Sequence, residues 1–140
     1  MEGMTAASGR TTDPGGRDIR LIRHVSGLNL GLVALQPISA GLLMSGYGRA
    51  LPVHAVVGLA LQLGALVQVG AAIVLWRRRH VPPWVAAVSI GFFVVVFLQN
   101  AFGHYRQYWL HVPIGVALFG ALVRQGSRLV TLSRTSEPRS

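Results

Sequence analysis

His54 opens the stretch His-Ala-Val-Val-Gly, and His111 opens His-Val-Pro-Ile-Gly. Each stands at the head of a long apolar run and follows a polar turn. An ionisable side chain inside a membrane-length apolar run marks a functional site by default, because hydrocarbon penalises it. No carboxylate lies between Asp18 and Glu137 to pair with either ring, so two imidazoles at one depth point to a shared ligand. Imidazole nitrogen is an axial ligand of haem iron, and a pair on facing helices supplies both axial bonds. The chain has no cysteine, which excludes thiolate metal sites, thioether haem attachment and cysteine nucleophiles.

Other residues fall into place around the pair. Gly58 and Gly115 each follow their histidine by four positions, on nearly the same helix face, and would let a macrocycle edge lie near the backbone. Gln36 and Gln99 would donate hydrogen bonds to a ligating histidine or to the macrocycle edge, since an amide facing lipid is costly. Arg49 and Arg106 lie in the turns beside the histidines and match carboxylates bidentately, as two propionates require. Tyr47, Tyr105 and Trp109 would pack at the rim. The plainer alternative is that both histidines are interfacial polar residues bonded to carbonyls or water. A zinc site needs three or four protein ligands, and only His104 is near enough in sequence to join the pair; as an outer-turn residue it is expected to be solvated. His24 and His80, beside arginines, read as headgroup contacts. No catalytic triad or phosphate loop is present, so no catalytic residue is assigned.

The elements that must position these residues are four apolar runs. Charged residues are only 12% of the 140-residue chain, and the mean hydropathy is +0.50. The segments 24–48, 50–76, 80–105 and 107–123 contain no arginine, lysine or carboxylate, and each approaches the roughly 20 residues needed to span a bilayer. The expected architecture is an all-α integral membrane four-helix bundle, with spans at about 22–47, 52–77, 82–102 and 108–128. Tails at 1–21 and 129–140 are expected to be disordered and cytoplasmic. All thirteen basic side chains are arginine, and only Arg49 and Arg106 fall on the outer side. The positive-inside rule then places both termini in the cytoplasm of a bacterial inner membrane. The net charge of +9 is thus accounted for by topology, and the partner is the lipid bilayer rather than nucleic acid. Within the first span, Gly27 and Gly31 form a GxxxG pair suited to close helix approach, and Pro37 would kink the helix. Gln62 and Gln68 are expected to bond between helices. The two halves repeat one order: Gln36, Gly41, turn, His54, Gly58, then Gln99, Gly103, turn, His111, Gly115. This reads as two parallel two-helix repeats about an axis along the membrane normal.

That ordered set resembles one half of the haem A synthase family, over about residues 32–120. The matching residues are Gln36, Gly41, His54, Gln99, Gly103 and His111. The chain is also similar to small four-span membrane proteins of actinobacterial type. The synthase resemblance implies a four-helix bundle whose second and fourth helices present histidines to one haem. The synthases have two such bundles and a catalytic glutamate in an outer loop, whereas this chain has one bundle and no outer acid. A homodimer would mimic the two-bundle arrangement. The expectation is therefore a haem b-binding, cytochrome-like membrane protein with bis-histidine ligation. It would exchange electrons with quinol or a respiratory membrane partner rather than carry out the synthase reaction. The alternative is a non-enzymatic accessory protein that binds no cofactor.

Overall fold

In a computed structural model of the chain, the backbone is described for residues 14–135 and the side chains for 20–121. Among the described residues there are four helices and no strand: α1 (Pro14–Met44), α2 (Ala50–Arg77), α3 (Pro83–His104) and α4 (Tyr108–Thr135). Three of them are long and apolar enough to cross a membrane, over Arg20–Met44, Ala50–Arg77 and Pro83–His104; the apolar part of α4 within the described side chains, Tyr108–Ala121, is shorter. The helices pack in a ring. α2 neighbours α1 and α3, α4 neighbours α3 and more loosely α1, and α2 and α4 stand on opposite corners.

Helix α1 begins at Pro14 and α4 runs to Thr135. The stretches 14–21 and 129–135, expected as parts of disordered tails, are therefore helical. Proline's fixed φ suits the first helical turn, and the arginines that follow have good helix propensity whether or not lipid surrounds them. Polarity marked where the membrane stops, which is a different boundary from where the helix stops. The rest of the expected tails, 1–13 and 136–140, lies outside the described residues. Pro37 and Pro113 sit inside α1 and α4 without ending either helix.

The three turns share one construction. The amides of Tyr47, His80 and Gln107 each reach back five residues, to the carbonyls of Leu42, Leu75 and Phe102. The residues just before them, Gly46 (φ 90°), Arg79 (φ 62°) and Arg106 (φ 56°), take the left-handed conformation. This is the Schellman ending, in which the left-handed position usually belongs to glycine. A side chain there costs about 1–2 kcal/mol. A cation at a helix C-terminus recovers about 0.3–1 kcal/mol, so the two arginines stay under net strain.

The bundle buries small and polar residues beside a few aliphatic ones and is apolar outside. Ala65, Ala72, Asn29, Ser39 and Ser89 are buried, whereas Leu28, Leu35, Val56, Leu59, Val67 and Phe97 are exposed among many other large apolar side chains. Such a surface would be one continuous hydrophobic patch in water, and it is the ordinary exterior of a protein in hydrocarbon. With no hydrophobic drive between helices there, cohesion falls to close packing and interhelical hydrogen bonds. Halfway along the bundle, Val33, Leu61 and Val96 form an apolar layer with Leu32, Phe92 and Leu118 against it. Gly27 and Gly31 do not take part. Both are exposed, with nothing within 4 Å of where a Cβ would stand, so the GxxxG pair faces outward. Helix α1 meets α2 through its Asn29, Gln36 and Ser39 face instead.

Candidate functional site

His54, in the second turn of α2, and His111, in the first turn of α4, meet across the diagonal of the ring. Their ring centroids are 6.0 Å apart and their planes cross at 78°. Each is half-buried. Their hydrogen bonds define which nitrogen is left. His111 Nδ1 lies 2.9 Å from the carbonyl oxygen of Gln99. A carbonyl only accepts, so Nδ1 carries the proton. His54 Nδ1 lies 2.9 Å from Ser39 Oγ. The single hydroxyl hydrogen of Ser39 is directed at the carbonyls of Leu35 and Gln36, each at 3.0 Å. In the tautomer with the hydrogen on Nδ1, the hydroxyl lone pair accepts His54 Nδ1–H. With the hydrogen on Nδ1 in each ring, Nε2 carries the lone pair, the arrangement that holds a metal-ligating histidine in one orientation.

The two glutamines are placed alike, and neither touches an imidazole nitrogen. Gln36 Nε2 donates to the backbone carbonyl of His54 at 3.4 Å, and Gln99 Nε2 donates to that of His111 at 2.8 Å. They fix where each histidine's helix turn sits. Gly58 and Gly115 make room for side-chain amides. A Cβ on Gly58 would come within 2.9 Å of Asn100 Oδ1 and 3.1 Å of Gln36 Nε2, and one on Gly115 within 2.7 Å of Gln99 Nε2. Gly103 gives space to the ligand ring itself, since its Cβ would stand 3.1 Å from His111 Cε1. Gly41 has nothing comparable above it.

Arg49 and Arg106 are exposed, in the turns at the same end of the bundle as the histidines, with Tyr47, Tyr105 and Trp109 exposed beside them. The His104 ring packs edge-on against Tyr105, 5.2 Å between centroids, and His104 is exposed. Among the described residues, no group of three or more histidines, cysteines or carboxylates is arranged for a metal ion. His54 and His111 stand together as a pair of imidazoles.

Two polar layers complete the interior. Beside the histidines, Asn100 Nδ2 donates to the carbonyl of Gly58 (3.0 Å) and to Gln62 Oε1 (2.7 Å). About 21 Å away along α2, at 1.5 Å per residue, Asn29 Nδ2 donates to Gln68 Oε1 (2.9 Å). Gln68 Nε2 then donates to Ser89 Oγ (3.4 Å), and Ser89 to the carbonyl of Val85 (2.8 Å). Gln62 and Gln68 thus bond between helices, as expected. Ser39, Ser89 and Asn100 were not singled out from the sequence. Ser39, three residues after Gln36, offers the one usable signal: helical spacing puts both on the face that looks toward His54. Two buried oxygens, Gln99 Oε1 and Asn29 Oδ1, have no hydrogen-bond partner.

Comparison with known proteins adds no relative: no family model, curated protein or solved structure matches the chain.

Proposed function

We propose that the chain is a four-span inner-membrane protein, both termini cytoplasmic, that binds haem b through His54 and His111 and transfers electrons. One observation carries the reading: two imidazoles with Nδ1 engaged by Ser39 and by the Gln99 carbonyl, 6.0 Å between centroids. Two imidazoles bound on opposite sides of one metal at about 2 Å would have centroids roughly 6 Å apart. The donor set suits iron in a macrocycle, which needs two protein ligands, better than zinc, which needs more. Haem, when bound, supplies one-electron chemistry; the chain supplies the rest. Ser39 and the Gln99 carbonyl hold the rings, Gln36 and Gln99 hold the turns that carry them, and Arg49 and Arg106 are assigned to the propionates.

The two-repeat architecture belongs to the same proposal and is supported by its regularity. Gln36 and Gln99 are 63 positions apart, as are Val33 and Val96 of the apolar layer. His54 and His111 are 57 apart, as are Gly58 and Gly115, and Leu61 and Leu118. Equivalent pairs do equivalent things, from the glutamine-to-histidine hydrogen bonds to the apolar layer.

The test is the optical spectrum of the detergent-purified protein, dithionite-reduced minus oxidised. A sharp low-spin haem b spectrum, lost in His54→Ala and in His111→Ala and unchanged by carbon monoxide, is the expected result. Carbon monoxide binding would mean an open axial position and favour an enzyme acting on haem or quinol. A colourless protein after haem is supplied during expression would overturn the proposal and leave an accessory protein. Quinol, or a respiratory membrane protein, is the proposed electron partner, tested by reduction of the haem with a soluble quinol.

A further inference from the structure

We infer that the turn between α2 and α3 binds the phosphodiester headgroup of an anionic phospholipid, anchored by Arg79. A cavity of about 330 Å³ lies there, lined by Trp76, Arg79, His80, Val81, Pro82 and Pro83. It sits between the end of one membrane-length helix, at Arg77, and the start of the next, at Pro83. That is the level of lipid headgroups. Four of its six lining residues are apolar, suited to a glycerol and the root of an acyl chain, while the guanidinium offers the paired donors that phosphate oxygens match.

Two further observations point the same way. Arg79 occupies the left-handed position of its turn, with φ 62°, where glycine would remove the strain and helix-end electrostatics only partly offsets it. Backbone strain retained at one side chain is a signature of use. No carboxylate lies between Asp18 and Glu137, so none neighbours Arg79 along the chain. A second cavity, about 380 Å³ and lined by Arg20, Arg23 and His24 of α1, opens at the same end of the bundle. Basic recesses between helices on one membrane face are the usual form of anionic headgroup sites. The inference is independent of the haem proposal.

The left-handed backbone makes the test clean, because Arg79→Gly removes the guanidinium and relaxes the fold at once. The detergent-purified full chain is titrated with phosphatidylglycerol, phosphatidylcholine or inorganic phosphate, and bound ligand is counted by native mass spectrometry alongside thermal unfolding. Val56→Ala, at an exposed position of α2 away from this turn, is the control variant. Phosphatidylglycerol is expected to bind the parent and Val56→Ala in preference to phosphatidylcholine. Arg79→Gly is expected to bind it roughly tenfold more weakly or worse, the scale of a lost charge-assisted contact, while unfolding no earlier without lipid. Equal occupancy by inorganic phosphate would overturn the lipid assignment in favour of a soluble anion. Unaltered phosphatidylglycerol binding in Arg79→Gly, or no preference over phosphatidylcholine, would overturn the site.

Discussion

The hydroxyl of Ser39 settles more about His54 than its size suggests. It donates along its own helix and accepts from the ring, so replacing it by alanine leaves Nδ1–H without its acceptor and frees the ring to turn. Loss of such a support commonly weakens metal binding by about 10–100-fold. Ser39→Ala is expected to keep the haem spectrum but release haem to a scavenging globin about that much more readily. Val→Ala at exposed Val56 should leave release unchanged. Gly64 makes a second test. The space where its Cβ would stand is already held by the buried Oδ1 of Asn29, which is 2% exposed. Gly64→Ala is expected to destabilise the bundle by about 1–3 kcal/mol, measured as thermal unfolding in detergent. Gly70→Ala, on the same helix with nothing within 4 Å, should be neutral or gain up to about 1 kcal/mol of helix propensity. At this scale the sequence named the residue types and left their partners open. The histidines and glutamines stood out because they are rare in apolar runs. Whether a glutamine meets a ring nitrogen or a backbone carbonyl depends on ångström-scale helix offsets that no spacing encodes. The glycines illustrate this, because their role depends on which side chain arrives from the opposite helix.

Among the elements, α1, α2 and α3 are joined by side-chain bonds at two levels: Asn29 to Gln68 and on to Ser89 at one, Gln36 and Ser39 to the His54 turn and Asn100 to Gly58 and Gln62 at the other. Helix α4 is held to α3 by the reciprocal pair between Gln99 and His111. Each interhelical bond in a bilayer is worth roughly 0.6 kcal/mol, up to about 1.7. Asn100→Leu, which removes two, should therefore lower stability by about 1–3 kcal/mol while leaving the histidine pair and its spectrum in place. That separates the scaffold from the site. Helix number and order were legible because arginine-free runs are bounded by turn residues. Helix ends were less so, because helix and membrane have different limits and arginine is at home in both. The Schellman turns at Arg79 and Arg106 were hidden for a related reason: glycine is the usual signal for that backbone, and here arginine holds the position.

For the whole molecule, the arrangement of charge sets the orientation. Among the described residues, Arg20, Arg23 and Arg77–Arg79 share one end with the two cavities, and Arg49 and Arg106 stand at the other. A fluorescent reporter that folds only in the cytoplasm, fused after Ser140, should glow. The same reporter inserted after Gly48 should not, and the reverse pattern would invert the topology.

The diagonal placement of the two rings also bears on biogenesis. Helix α2 is the second to leave the ribosome and α4 the last, so a chain that has emerged only as far as His104 holds every bond among its first three helices but one imidazole. The site has no partial form that grows as synthesis proceeds; it comes into being when the final helix docks. Under the proposed function, haem loading would be a post-translational event, with the completed bundle the earliest species that holds both histidines. A fragment ending before Tyr108 should insert, persist in the membrane and remain colourless, which makes colour itself a report on whether the last helix has arrived.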